Sequence, residues 1–119
     1  FVLLTDEADP EASLDLLAKG RRNNPDSWKI LLESGLTSYL GYEDYAAAST
    51  YFRMASTRPG APEYLGRYAA FMTEQAGSPE AALVLWTEAL ERATMPEVRE
   101  RIEKRIADLR QVLAEKDRS

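Results

Sequence analysis

Tyr64, Arg67 and Phe71 stand at i, i+3 and i+7, a cation set between two aromatic residues on one face of a helix. Aromatic and arginine side chains dominate the energetics of protein interfaces, and an amphipathic strip of this kind suits an extended peptide or a partner helix. The same residues admit a plainer reading, in which Tyr64 and Phe71 pack on the next helix and Arg67 is solvated. Chemistry beyond holding has little to work with. The chain contains no histidine and no cysteine, which removes imidazole acid–base catalysis, thiol nucleophiles, disulfides and the usual zinc ligands together. Asp6-Glu7-Ala8-Asp9 is an acidic cluster, yet it lacks the spaced oxygen ligands and the glycine of a calcium loop and reads as a solvated turn. No glycine-rich phosphate loop is present, and the pattern sets no pair of carboxylates in an apolar pocket. The expectation is a protein that is not an enzyme, with no metal and no cofactor.

Composition narrows the partners. At 119 residues the chain is expected to be one domain, and 45% apolar with 29% charged residues matches a folded protein. A net charge of −5 repels phosphate backbones and argues against nucleic acid as a partner. No stretch approaches the ~20 apolar residues of a membrane span. The cysteine count is compatible with cytoplasm and periplasm alike. Phe1-Val2-Leu3-Leu4 opens the sequence without a helix-start signal, so the chain is expected to be cut from a longer polypeptide whose upstream part could carry an anchor.

The elements that would position the strip are all helical. Asp9-Pro10-Glu11 supplies a cap, a proline suited to the first helical position and an acid facing the helix dipole, and predicts a helix to about Arg22 with Leu14, Leu17 and Ala18 on its apolar face. Phe1 to Leu4 would be the last turn of a preceding helix, packed on Leu14 and Leu17. A second helix starts after Asn24-Pro25-Asp26-Ser27 and keeps apolar spacing to about Leu40, with a turn at Gly41 to Asp44. Tyr45 to Arg58 follows, stopped by Pro59-Gly60-Ala61-Pro62; then Pro62 to about Gln75, and Ser78-Pro79-Glu80 to about Ala93. Thr94 with Glu97 reads as a capping box for a last helix to about Lys116, whose seam is Val98, Ile102, Ile106, Leu109 and Leu113. Glu97 with Arg101 and Glu100 with Lys104 stand at ion-pair spacing on its wet side.

These helices repeat. Ala48, Phe52 and Ala55 recur 34 positions on as Ala82, Trp86 and Ala89, Gly35 recurs as Ala69, and Pro25 recurs as Pro59. Two helices approach closely only where the crossing residues are small, so these positions mark the contacts and Trp28, Tyr39, Phe52 and Trp86 fill the space around them. A 34-residue period of helix pairs resembles the tetratricopeptide repeat, with Gly35, Leu36 and Tyr39 near its first-helix motif and Ala48, Phe52, Ala55 and Pro59 at its second-helix positions. Gly35 to Tyr39 is one residue longer than the family pattern, and the next unit has Ala69 for the glycine and Thr73 for the tyrosine. The resemblance covers nearly the whole chain: a partial repeat at 1–24, repeats at 25–58 and 59–93, and a cap at 94–116. More narrowly it resembles uncharacterised bacterial proteins of this class.

What the resemblance implies is an all-α fold, a right-handed α-solenoid of antiparallel helix pairs with a C-terminal capping helix. In such repeats the first helix of each pair lines a concave groove, which here assigns Lys29, Glu33 and Thr37, and then Tyr64, Arg67, Phe71 and Glu74, to a surface for a protein or peptide partner. The competing expectation is a structural spacer, or a homodimer formed through a bare apolar edge at Phe1–Leu4, Leu14 and Leu17.

Overall fold

The computed structural model describes residues 10–118, and among them every regular element is a helix: α1 (Pro10–Asn23), α2 (Trp28–Tyr42), α3 (Tyr45–Ser56), α4 (Tyr64–Gln75), α5 (Pro79–Arg92) and α6 (Pro96–Arg118). Each helix packs mainly on the one before it and the one after it. A row of this kind is longer than a globule: the radius of gyration is 15.5 Å, against about 13.5 Å for a compact domain of equal length. Phe1–Leu4, the acidic cluster at 6–9 and Asp9 lie outside the described residues.

Small residues do make the helix crossings. Ala48, Ala55, Ala69, Ala82 and Ala89 are buried, and Phe52 and Trp86 lie in the same continuous core. Gly35 is the tightest of these places, because a Cβ there would sit 2.6, 2.7 and 3.0 Å from three atoms of the Phe52 ring. Trp28 and Tyr39 are half-buried rather than enclosed, packed against the cluster from its edge, with Tyr39 stacking on Tyr45 at 5.8 Å between ring centroids. At the other end Ile102, Ile106 and Leu109 are buried along one side of α6, with Val98 and Leu113 half-buried at the limits of the seam.

Several boundaries differ from expectation, each for a local reason. α2 continues through Gly41 and Tyr42, and the chain reverses at Glu43 (φ 52°, ψ 31°), whose N–H goes to Tyr39 O while the Asp44 N–H goes to Ser38 O. That pairing satisfies the last carbonyls of α2 and hands Asp44 to α3 as its cap, its Oδ1 accepting from the Ala47 N–H at 3.0 Å. A left-handed residue with a side chain is strained. Glu43→Gly should therefore stabilise the fold by about 0.5–1 kcal/mol, less whatever glycine adds to the freedom of the unfolded chain, and thermal unfolding would read it.

α3 ends at Ser56, two residues short of Arg58, because the Thr57 and Arg58 N–H groups close a tight turn on Met54 O and Ala55 O. Arg58 then reaches back, its Nε donating to Pro25 O at 3.0 Å and tying together the two proline turns. The first turn of α4 opens only after Pro62 and Glu63, with the Leu65 N–H on Pro62 O. α6 begins at Pro96, so Thr94 and Glu97 do not form a capping box; Met95 O instead receives the Arg99 N–H. Glu97–Arg101 and Glu100–Lys104 do not close to ion-pair distance: the described ion pairs are Arg67–Glu63, Arg105–Glu74 and Lys116–Glu80. Arg99 serves the preceding helix, donating from Nη1 to Leu90 O (2.8 Å) and Ala93 O (2.9 Å) at the C-terminus of α5, where a cation also suits the helix dipole.

Of the expected N-terminal edge, Leu14 and Leu17 fall among the described residues, and neither is bare. Leu17 is buried and Leu14 half-buried because α1 packs on α2, closely enough that a Cβ on Gly20 would lie 3.3 Å from Ile30 Cδ1. The large apolar residue of α1 that is exposed is Leu16. No helix among the described residues is long and apolar enough to cross a membrane.

Candidate binding groove between the fourth and sixth helices

α4 presents Arg67, Tyr68 and Phe71 along one side because Phe71 lies four residues from Arg67 and three from Tyr68, the spacings that share a helical face. α6 presents Val98, Arg101, Ile102 and Arg105 at i, i+3, i+4 and i+7, and Trp86 of α5 forms the floor between them. The walls enclose an open groove of about 420 Å³, within the size range of ligand-binding clefts. Its apolar surface is partly accessible, with Phe71 37% and Tyr68 44% exposed, whereas Trp86 and Ile102 are buried beneath.

The groove is held by an acid that faces inward. Glu74 Oε2 accepts from the Trp86 indole N–H at 2.6 Å and from Arg105 Nε at 2.9 Å, joining α4, α5 and α6 through one carboxylate. This lays the Arg105 guanidinium over two rings, 5.5 Å from the Phe71 centroid and 5.8 Å from that of Trp86, where the ring quadrupoles attract it. Arg67 pairs with Glu63, four residues earlier and just ahead of α4. Arg101 is exposed and takes part in none of the described ion pairs. Tyr68 is fixed from below by an edge-on contact with Phe52 at 5.6 Å and from the side by Tyr64 at 5.1 Å.

Of the residues the sequence assigned to a partner surface, Arg67 and Phe71 line this groove, Tyr64 stands beside it and Glu74 lies behind it as a structural bridge. Lys29, Glu33 and Thr37 do not join them. Lys29 is exposed, its ammonium 5.7 Å from the Trp28 ring. Glu33 shares a shallow hollow with Leu17 and Ile30 at the α1–α2 edge, and its burial pushes its carboxyl above the ordinary value. On exposed ground elsewhere, the backbone N–H of Glu80, aided by Lys116 at 3.2 Å, holds the Glu80 carboxyl below its ordinary value.

Thr37 is the clear correction, since it is fully buried and no partner can touch it. The α2 face is closed at the position that corresponds to Phe71: Ser34 beside it is also fully buried, donating to Ile30 O and accepting from Arg21 Nη1 at 2.8 Å. Thr37 Oγ1 has no hydrogen-bond partner among the described residues. An unsatisfied buried hydroxyl is destabilising, so Thr37→Val, nearly the same shape, should raise stability by about 1 kcal/mol in chemical denaturation.

Tyr68, Arg101, Ile102 and Arg105 as groove residues were missed in the sequence, although the period contains them. Tyr64, Arg67, Tyr68 and Phe71 recur 34 positions on as Val98, Arg101, Ile102 and Arg105. The last helix thus repeats the α4 strip in register, and the two strips face the same opening. Against models of known families, characterised proteins and solved structures, the chain gives no match.

Proposed function

We propose that this chain is a non-catalytic protein-interaction module of the tetratricopeptide type, a right-handed solenoid of antiparallel helix pairs closed by α6, which holds a peptide or partner helix in the groove between α4 and α6. The observation that carries the reading is the groove itself, in which exposed aromatic and arginine side chains gather over an apolar floor. Those residue types anchor protein interfaces. The fold reading is supported by the 34-residue register, whose small residues coincide with buried crossings, and by packing that runs from neighbour to neighbour. A bacterial origin follows from the resemblance alone.

A pull-down from bacterial lysate compares the parent with Arg67→Glu and Arg101→Glu, both folded by circular dichroism. A partner kept by the parent and lost by both variants supports the groove as the functional surface. The same proteins recovered with all three would overturn it.

A second reading, self-association through the N-terminal edge, is favoured by Leu16, 59% exposed beside the α1–α2 hollow. Its mark would be a concentration-dependent dimer in sedimentation that Leu16→Glu abolishes; a monomer throughout the accessible concentration range would exclude it.

A further inference from the structure

We propose that the occupant of the groove is an acidic protein segment in which an aromatic or aliphatic side chain is flanked by carboxylates. The inference rests on the reading of the groove as the functional surface and adds the chemistry of what it holds. Three arginines line the groove and no carboxylate does, although acidic residues outnumber basic ones in the chain, twenty to fifteen. Arg67 and Arg105 are paired with Glu63 and Glu74 behind the lining, so among the described residues the groove keeps one uncompensated cation, Arg101, on a molecule that is negative as a whole.

The arginines are also unequally engaged. Arg105 lines the groove, pinned at Nε by Glu74 and laid over Phe71 and Trp86, so the orientation of its guanidinium is already set. A guanidinium carries five donors in a planar fork, and one bond at Nε leaves enough for a carboxylate. Arg101, one turn earlier on the same face of α6, is exposed and outside every described ion pair. Arg67 stands across the opening on α4, its charge shared with Glu63. Cations thus occupy both walls, and the apolar surface of Phe71 and Trp86 lies between them.

That order selects among ligands. A small inorganic anion would satisfy an arginine and leave about 420 Å³ of groove and its rings wet. A purely apolar segment would cover the rings and bury Arg101 with no acid to pair with, which is unfavourable. A segment with one apolar anchor and a carboxylate on each side meets both demands, and no free chain end is needed. A single-stranded nucleic acid could also offer rings and anions, but the net charge of −5 opposes a continuous phosphate chain.

The test uses a fluorescent peptide blocked at both ends, with glutamates on either side of a Leu-Phe pair, beside counterparts carrying glutamine or lysine in place of glutamate. Binding is followed by fluorescence polarisation. The glutamate probe should bind about tenfold more tightly than the glutamine probe, weaken with added salt, and lose about tenfold on Arg101→Glu. Lys104→Glu, on the same helix outside the groove, should leave it unchanged. Glutamate and glutamine probes that bind equally and are both lost on Phe71→Ala would overturn the acidic preference while leaving the groove as the binding surface. Binding indifferent to both Phe71→Ala and Arg101→Glu would sink the two readings together. Failure of the glutamate probe to bind, a preference for the lysine probe, or displacement by a single-stranded oligonucleotide at lower concentration than by unlabelled peptide would each overturn the inference.

Discussion

Gly35→Ala should destabilise the protein by about 2–3 kcal/mol, even though alanine is the better helix former by nearly 1 kcal/mol. The added methyl would meet three atoms of the Phe52 ring at 2.6–3.0 Å, and that ring is itself fully enclosed and cannot swing into open space. Either α2 and α3 must separate or the ring must leave its rotamer, and both disturb close packing. Chemical denaturation reads the loss. A double-mutant cycle isolates its cause: Phe52→Leu is destabilising alone, yet combined with Gly35→Ala the loss should fall well short of the sum, by about 1 kcal/mol or more. Simple additivity would mean that the clash is relieved elsewhere and that Gly35 is not the point of contact.

Glu74→Leu should cost about 3 kcal/mol, because it leaves the buried Trp86 indole N–H unsatisfied and Arg105 without its carboxylate in one step. The conservative Glu74→Gln keeps an acceptor for the indole and loses only the charge, so about 1 kcal/mol is expected. The difference between the two separates the hydrogen bond from the ion pair. Hydrogen exchange should place the effect in the α5–α6 region and leave α2 and α3 protected, since consecutive packing confines the damage to neighbours. Equal losses for the two substitutions, or loss of protection along the whole chain, would contradict this account.

The helices and their crossings were legible in the sequence because small residues, prolines and apolar spacing are local signals, and the 34-residue register multiplied each of them. Gly35, Ala48 and Ala55 needed no knowledge of what lay opposite. The site was less legible. Periodicity says which residues share a helix face but not what covers that face: Thr37 and Phe71 occupy the same register, and the first is sealed while the second is open. Glu74 fell on the expected ligand face and is drawn inward by Trp86 and Arg105, from 12 and 31 positions away. Arg101 and Arg105 belong to a helix whose seam was read as its only working face, although they stand in register with Arg67 and Phe71. The boundary errors have a common origin too, since Glu43, Thr57 and Pro96 are placed by end-of-helix hydrogen bonding rather than by propensity.

Packing that passes from each helix to the next also sets the speed at which the molecule can assemble. Contacts between successive helices close only short loops, so little chain entropy is lost before each contact rewards it. Folding should then be fast, on the order of microseconds to milliseconds, as for other low-contact-order helical chains. A ribosome releasing this polypeptide would not have to wait for its last residue, because α2 and α3 can already condense on each other while α6 is still being made.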